Sequence, residues 1–229
     1  MQPDDLKLRA LAEFAAGAGH EINNPVATIV GYAQQLLAGE TDPDRRQALA
    51  TIGAQAYRIR DMIGDAMLFA RPPVPRPQNV DLAFVVRELA AKVADEARAA
   101  AVRIEVEAGA ETPIFADPVQ LRIVISSLLR NSLEALGQGG NVRMIAREFN
   151  VAPGLKTALF SIADDGPGLS EVEREHLFDP FFSGRQAGRG LGFGLSKVWR
   201  IVTLHDGQID VDSPAAGGVV FTIRWPTPA

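Results

Sequence analysis

Hydrophobic residues recur every three or four positions through the first 70 residues, which predicts two long amphipathic helices. We expect these helices over residues 4–37 and 44–70, joined by a Gly-Glu-Thr-Asp-Pro turn at 39–43. The apolar stripe of the second helix consists of Leu49, Ile52, Ala56, Ile59, Ile63, Ala66 and Ala70. This alternating spacing is typical of a bundle or coiled coil. Because a lone hairpin leaves such a stripe exposed, we expect either a homodimeric four-helix bundle or packing against the rest of the same chain.

A proline-rich segment then divides the chain. Residues 72–78 are interpreted as a short, semi-rigid linker, because neither a helix nor a central strand accommodates so many prolines. The linker separates a helical hairpin of residues 1–71 from a second domain of residues 79–229. In the second domain we predict helices over 83–101, 118–136 and 195–204, and strands over 102–107, 113–117, 141–149, 155–163, 208–212 and 219–225. Strands mixed with segregated helices predict an α+β two-layer sandwich, so the predicted fold is multidomain, an all-α hairpin followed by this sandwich.

The composition is that of an ordinary soluble globular protein, with 47% hydrophobic and 22% charged residues. A net charge of −5 does not favour nucleic-acid binding, so no nucleic-acid partner is expected. The absence of cysteine excludes disulfides and cysteine metal sites. No uninterrupted apolar run reaches 18 residues, so we expect no membrane segment in this chain, although a longer protein could carry a membrane or sensor region upstream.

His20 is the candidate nucleophile, in the run Gly-Ala-Gly-His-Glu-Ile-Asn-Asn-Pro of residues 17–25. It lies off the apolar stripe of its helix, so we expect it to be exposed. A neutral imidazole has one nitrogen free to attack, and the carboxylate of Glu21 could hold the proton of the other nitrogen. Taken alone, the run is also explained by an ordinary surface histidine.

Two downstream segments carry side chains suited to a nucleotide. Asn131 lies on the predicted helix 118–136, and an amide oxygen is a suitable ligand for Mg²⁺. Asp164 follows an apolar strand, where its carboxylate could accept a hydrogen bond from the amine of adenine, while Gly166 and Gly168 let the backbone approach the base. Individually, a satisfied helical asparagine and an ordinary Asp/Gly turn remain alternatives.

A third segment, residues 188–196, is rich in glycine and precedes a predicted helix. Backbone amides at such a helix N-terminus form an anion site, which predicts a phosphate cradle at Gly190, Gly192 and Gly194. Ser183 and Arg185 lie just upstream and could donate further hydrogen bonds to phosphate.

Together these segments resemble the dimerisation, phosphotransfer and ATP-binding core of bacterial two-component sensor histidine kinases. Residues 20–25 resemble the phosphoacceptor box, 130–135 the asparagine box, 164–168 the first glycine box, 178–182 the phenylalanine box and 190–196 the second glycine box. Each box is weak alone, but five in the family's order are highly specific.

The resemblance implies a role for each matching residue. His20 would be phosphorylated, Glu21 would activate it as a base, and Asn24 would position water for dephosphorylating a partner. Asn131 would bind Mg²⁺ and Asp164 would recognise adenine. The other nucleotide-binding residues that it implies are Gly166, Gly168, Ser183, Arg185, Gly190, Leu191, Gly192, Gly194 and Leu195.

The resemblance also implies the fold of the gyrase/Hsp90-type ATPases and a bacterial cytoplasmic location, as all or part of a longer sensor. The implied enzyme is a homodimeric protein histidine kinase that uses ATP and Mg²⁺ to phosphorylate itself. It would then pass the phosphoryl group to an aspartate of a response-regulator receiver domain. Ser132 departs from a common alanine, and Ser127 lacks the carboxylate with which related ATPases activate water, which favours histidine as the acceptor.

Three alternatives remain at the level of sequence. Another enzyme of the ATPase superfamily is disfavoured by the His20–Glu21 helix, and a degenerate scaffold by the intact boxes. Phosphatase action on the regulator stays open because of Asn24.

Overall fold

The computed structural model describes residues 5–152, 155–182, 192–214 and 217–226. The chain divides into two compact units. The first contains the N-terminal helices and, among the described residues, 179–181 and 192–193; the second contains residues 74–178, 182 and the C-terminal part from Gly194 onward.

The first unit is built on a helical hairpin, which confirms the two predicted helices. Helix α1 spans Asp5–Gly39 and helix α2 spans Pro43–Ala70. Asp42 ends the turn and starts α2, because its carboxylate accepts hydrogen bonds from the backbone N–H groups of Asp44 and Arg45, both at 3.0 Å.

A row of small side chains on α1 forms the buried seam of this hairpin. Gly19, Val26 and Ala33 are buried at intervals of seven residues, and Ala56 is buried on α2. A Cβ at Gly19 would collide with Sδ of Met67 on α2. Gly19 therefore allows the two helices to approach closely.

A second apolar row on α1 is exposed. The row consists of Pro25, Ile29, Tyr32 and Leu36 at helical spacing. On α2, Ile52 and Ile59 are exposed as well. Helix α1 thus has two apolar rows, one that faces α2 and one that is uncovered in the single chain.

The second unit is a mixed α/β domain, as predicted. Its elements are β1 (Gln78–Asp81), α3 (Leu82–Lys92), α4 (Ala94–Ala99), β2 (Arg103–Ala108), β3 (Pro113–Ala116), α5 (Pro118–Leu136), β4 (Asn141–Ala152), β5 (Leu155–Asp164), α6 (Glu171–His176), α7 (Gly194–Leu204), β6 (Gln208–Asp212) and β7 (Val219–Pro226).

Five strands form the main sheet in the order β2-β4-β5-β7-β6. The β2–β4 pair is parallel and the other three pairs are antiparallel. Strands β1 and β3 form a separate antiparallel pair. The inward residues of the central strands are fully buried, among them Met144, Ile162, Phe221 and Ile223. Helix α5 buries Leu121, Val124, Ile125 and Leu128 at helical spacing, which completes a two-layer sandwich.

Three local details differ from the predicted elements. The helix predicted over 83–101 is two helices, because the backbone leaves helical geometry at Val93 (φ −103°, ψ 6°). Strand β1 and helix α6 are present but not predicted. Helix α6 has a sequence signal, since Ser170 and Glu173 form a capping box at its start.

Asp117 fixes the start of α5, the helix that carries the candidate site. One carboxylate oxygen accepts two N–H bonds from the first turn of α5, at 2.9 and 3.1 Å, and the other accepts the N–H of Arg76 at 2.9 Å. The Asp117 N–H in turn donates to Nε2 of buried His205 at 3.0 Å. Nδ1 of His205 lies 2.9 Å from the Ile201 carbonyl, so Nδ1 carries the proton. The start of α5 is thereby tied to the segment before β1 and to the end of α7.

Replacing Asp117 with asparagine is expected to lower the free energy of unfolding by about 1 kcal/mol at neutral pH, or roughly 2–4 °C in Tm. Asparagine also caps helices well. Its Nδ2 would face the Arg76 N–H, however, and because both groups are donors this hydrogen bond would be lost. Asp42→Asn is the matched control, because the Asp42 carboxylate caps its own helix through the N–H groups of Asp44 and Arg45, and we expect the Tm of this variant to stay near wild type.

The stability difference between wild type and Asp117→Asn should depend on pH, in a direction that follows from the pKa of Asp117. Burial alone would raise the pKa of Asp117, but the N–H groups of Arg76, Gln120 and Val119 outweigh it and lower the pKa below its ordinary value. The stabilisation is therefore present above the unfolded pKa of about 3.9 and is lost as the pH falls through the lower folded value. Thermal melts of wild type and Asp117→Asn between pH 7 and pH 3 measure this dependence. A Tm difference between the two proteins that widens in acid would contradict the account.

Candidate active site

The candidate phosphoacceptor segment lies within α1. Residue 20 is helical, and the side chain of His20 lies outside the described residues. Glu21 and Asn24 are both exposed, and their spacing of three residues puts them on one face of the helix. The Asn24 carbonyl accepts a hydrogen bond from Oγ1 of Thr28 at 3.1 Å. The structure therefore presents both polar neighbours of His20 to solvent.

Helix α5 carries the next two polar side chains. Asn131 is half-buried, and Ser132 is 0% exposed. The Ser132 hydroxyl donates a hydrogen bond to Oδ2 of Asp164 at 2.9 Å. This bond joins the asparagine-bearing turn of α5 to the end of β5. In the sequence Ser132 stands out only as a departure from a common alanine, and nothing there indicates its contact with Asp164.

Asp164 is the last residue of β5 and is 8% exposed. Its Oδ1 accepts the Gly166 N–H at 3.1 Å. Burial raises the pKa of Asp164 above its ordinary value, although the Ser132 hydroxyl and the N–H groups of Gly166 and Val219 oppose the rise. A buried carboxylate with donors on both oxygens is suited to accept a further hydrogen bond from a ligand amine.

The glycines after Asp164 are required by close packing. A Cβ at Gly166 would lie 2.9 Å from Oδ1 of Asp164, and Gly168 has φ +81°. The Gly218 N–H donates to the Gly166 carbonyl at 2.7 Å, and a Cβ at Gly218 would collide with the Asp164 carbonyl. The hairpin glycine at 218 thus forms one wall of the predicted glycine segment, a role that the sequence analysis missed.

Two polar side chains hold this loop in place. Ser213 accepts the Leu169 N–H at 2.9 Å and donates to the Gly218 carbonyl at 3.0 Å. Asp165 accepts both the N–H and the side-chain amide of Asn141 at 2.7 Å, and these bonds lower its pKa below the ordinary value. The loop is therefore fastened to β4 on one side and to the β6–β7 turn on the other.

The second glycine segment is described only at its end. Ser183, Arg185, Gly190 and Leu191 lie outside the described residues. Gly192 has φ +73°, as a glycine-dependent turn requires. Helix α7 begins at Gly194, and Leu195 is half-buried in its first turn. The phosphate cradle at this helix stays a prediction.

Comparison with known proteins assigns both halves of the chain. Residues 10–73 match the family model described as the His Kinase A (phospho-acceptor) domain. Residues 116–229 match the Histidine kinase-, DNA gyrase B-, and HSP90-like ATPase model. The chain is also 32% identical over 222 residues to the sensor histidine kinase ZraS of Klebsiella oxytoca, which covers 96% of this chain and 47% of ZraS.

The chain belongs to the sensor histidine kinase family. The predicted family is thereby confirmed. The chain spans 29% of the length of sporulation kinase E of Bacillus subtilis, 35% of AtoS of Escherichia coli and 47% of ZraS.

Two solved histidine kinases share the fold. Full-length ShkA in complex with AMPPNP superposes with a TM-score of 0.80 at 23% identity, over 95% of this chain and 46% of ShkA. ThkA in complex with the response regulator TrrA gives a TM-score of 0.68 at 22% identity, over 98% of this chain and 64% of that chain. The predicted fold class of a histidine kinase core is confirmed. Among the described residues, none of the helices is both long and apolar enough to span a membrane.

Proposed function

We propose that this chain phosphorylates itself on His20 with ATP and passes the phosphoryl group to an aspartate of a response regulator. The observation that carries the proposal is the buried Asp164 carboxylate, held between Ser132 and the Gly166 N–H inside the region that matches the ATPase family. His20 lies inside the region that matches the phosphoacceptor family.

ATP is the proposed substrate of the site in the second unit. The ionised carboxylate of Asp164 accepts but does not donate, which suits the 6-amino group of adenine. Gly166 and Gly168 keep side chains away from the approach of the base. The predicted phosphate contacts are those of Ser183, Arg185, Gly190, Leu191, Gly192, Gly194 and Leu195.

Mg²⁺ is the proposed cofactor, and the donor set fits it. Asn131 would hold the ion through its amide oxygen, the type of hard ligand that Mg²⁺ takes together with phosphate oxygens. Asn131 immediately precedes Ser132, whose hydroxyl touches Asp164, so the amide belongs to the same turn as the base-recognition carboxylate. When bound, the ion would neutralise phosphate charge.

Two residues of α1 have proposed roles beside His20, Glu21 in holding a proton and Asn24 in orienting water. Glu21 would hold the proton of one imidazole nitrogen, so that the other nitrogen of His20 is free to attack. Asn24 is exposed on the same face as Glu21, which favours a second activity. In that activity Asn24 would orient water for dephosphorylating the regulator. Both activities would operate in the bacterial cytoplasm, where ATP is available.

The proposed partners are a second copy of the chain and a receiver domain. ThkA, which shares the fold, is solved with the response regulator TrrA. The exposed apolar row of α1 is suited to pack against the same row of a second copy of the hairpin. Two hairpins packed in this way form a four-helix bundle. The uncovered row, whose Tyr32 is 63% exposed, supports the dimer.

Replacing Ile29 and Leu36 together with aspartate is expected to convert the dimer to monomer, because two charges would be buried at the bundle seam. Light scattering coupled to gel filtration measures the mass. Exposed Gln35→Asp, placed outside this row, is the control and should remain dimeric. A wild-type monomer, or a dimer that survives the double change, would contradict the assignment.

Replacing Asn131 with alanine is expected to slow ATP-dependent phosphorylation by about tenfold or more, since one ligand of Mg²⁺ is lost. The initial rate of label incorporation at saturating Mg²⁺ measures it. Exposed Arg130→Ala, one residue earlier on α5, is the control and should label at the wild-type rate. An unchanged rate in Asn131→Ala would remove the Mg²⁺ role.

Incubation with γ-labelled ATP and Mg²⁺ tests the proposed function. We expect the label to be lost in acid and kept in base, as for a phosphohistidine. α-Labelled ATP is the control and should leave no label. Label that survives acid, or none at all in protein that binds ATP, would contradict autophosphorylation on histidine.

A further inference from the structure

Ser132 is the buried hydrogen-bond partner of Asp164, and the proposed function assigns no effect on ligand selectivity to it. The Ser132 hydroxyl is 0% exposed and donates to Oδ2 of Asp164 at 2.9 Å, while the Gly166 N–H donates to Oδ1 at 3.1 Å. Each carboxylate oxygen therefore accepts at least one hydrogen bond, and these two donors come from different elements, α5 and the glycine loop. Together they fix the plane of the carboxylate.

The plane of the carboxylate decides where its remaining lone pairs point. Hydrogen bonds weaken steeply when the donor angle departs from linearity, so a freely rotating carboxylate would be a poorer acceptor for a fixed amine. The Gly166 N–H binds Oδ1 and does not by itself fix the position of Oδ2. The Ser132 hydroxyl supplies the second point of attachment.

We propose that Ser132 is a positioning residue that sets the preference of this site for purines with a 6-amino group, through its hydrogen bond to Asp164. The proposal rests on the proposed function, in which Asp164 accepts from the adenine amine. It goes further by assigning the selectivity to a side chain that need not touch the nucleotide. A carboxylate held in this orientation meets a 6-amino donor and opposes a 6-oxo acceptor.

A structural role for Ser132 predicts different behaviour. Alanine has higher helix propensity than serine, and position 132 is buried among apolar residues of α5, so Ser132→Ala should fold. Loss of the hydroxyl leaves the remaining bond of Asp164 to Gly166 intact. A positioning role then affects the ligands that use the 6-amino group, whereas a general packing role would affect all purine nucleotides alike.

Calorimetric binding of two nucleotides tests the proposal. We would titrate two nucleotides into wild type and into Ser132→Ala. One is ATP, and the other is its 6-unsubstituted analogue, a purine nucleoside triphosphate with hydrogen in place of the 6-amino group. Wild type is expected to prefer ATP. In Ser132→Ala we expect the ATP affinity to fall about tenfold and the affinity for the analogue to stay within about twofold.

Two further variants separate the hydroxyl from its surroundings. Ser161→Ala is the matched control, because Ser161 is also buried and lies on the strand that ends in Asp164; its ATP preference should equal that of wild type. Ser132→Thr keeps the hydroxyl and should retain most of the preference. A threonine variant that melts like wild type but loses the preference as fully as alanine would overturn the proposal.

Other outcomes are equally decisive. Equal losses for both nucleotides in Ser132→Ala, or no loss for either, would overturn the positioning role while leaving ATP binding established. Wild type that does not bind ATP would instead overturn the proposed function, and the inference with it. The two failures are therefore distinguishable in one set of titrations.

Discussion

Replacing His20 with glutamine is expected to abolish ATP-dependent labelling of the protein while leaving its ATP affinity within about twofold of wild type. Glutamine has a side chain of comparable length with hydrogen-bonding groups, but its amide nitrogen is not a nucleophile. Position 20 lies in α1, whereas Asn131 and Asp164 lie in the second unit, so ATP binding should not require the imidazole. Label incorporation and calorimetry on the same preparation measure the two quantities.

Glu21→Gln is the matched control for this change. It keeps the imidazole and removes only the neighbouring carboxylate, so labelling should be slowed by roughly 10²-fold rather than abolished. Labelling of His20→Gln at a rate similar to wild type would contradict the assignment of the phosphoacceptor. Loss of ATP affinity in His20→Gln would show that position 20 contributes to binding rather than to transfer alone.

Asp164→Asn is expected to lower the ATP affinity at least 100-fold and to raise the stability of the nucleotide-free protein. Asparagine would turn one acceptor oxygen into a donor that opposes the adenine amine, and an unpaired polar group in a binding site is strongly unfavourable. Without nucleotide, the amide can still accept the Gly166 N–H and can donate to the Ser132 oxygen, so both of these partners are kept. Removing a buried charge should then raise Tm by roughly 2–4 °C, about 1 kcal/mol.

The pH dependence follows from the direction of the pKa change. Burial raises the pKa of Asp164, so the ionised group destabilises the nucleotide-free fold above the folded pKa, and this cost disappears as the pH falls below the unfolded value. The stability gain of Asp164→Asn should therefore be present at pH 7 and absent below about pH 4. Nucleotide-free thermal melts across this range measure it.

The neighbouring carboxylate, Asp165, provides a control whose replacement should change Tm in the opposite direction. Hydrogen bonds from the Asn141 backbone and side chain lower the pKa of Asp165, so its ionised form stabilises the fold at neutral pH. Asp165→Asn should lower Tm and leave the preference for ATP over the 6-unsubstituted analogue unchanged. An Asp164→Asn protein that melts below wild type, or that binds ATP as well as wild type, would contradict the role of Asp164.

The spacing of apolar residues along the sequence predicted the helices and strands well. Helix α5 was predicted with its observed limits, because Asp117 and Pro118 mark its start and its apolar positions recur at helical spacing. The hairpin was predicted for the same reason. The break at Val93 was missed because alanine-rich residues on both sides have high helix propensity and no proline marks the interruption.

The contacts of the candidate site were harder to predict, because they join residues far apart in sequence. Asp164 was recognised from its position after a strand and before glycines, but its partner Ser132 lies 32 residues away on a helix. Gly218 lies between strands β6 and β7, and nothing in the neighbouring sequence indicates that it packs on the Asp164 carbonyl. The capping box of α6 was present in the sequence and could have identified that helix.

The most direct test of the central claim is to locate the phosphoryl group. The protein would be incubated with ATP and Mg²⁺, digested at alkaline pH to preserve phosphohistidine, and sequenced by tandem mass spectrometry. We expect one phosphoryl group on the peptide that contains residues 17–25, with fragment masses that place it on His20. A phosphoryl group on a serine, threonine or aspartate elsewhere, with His20 unmodified, would contradict the account.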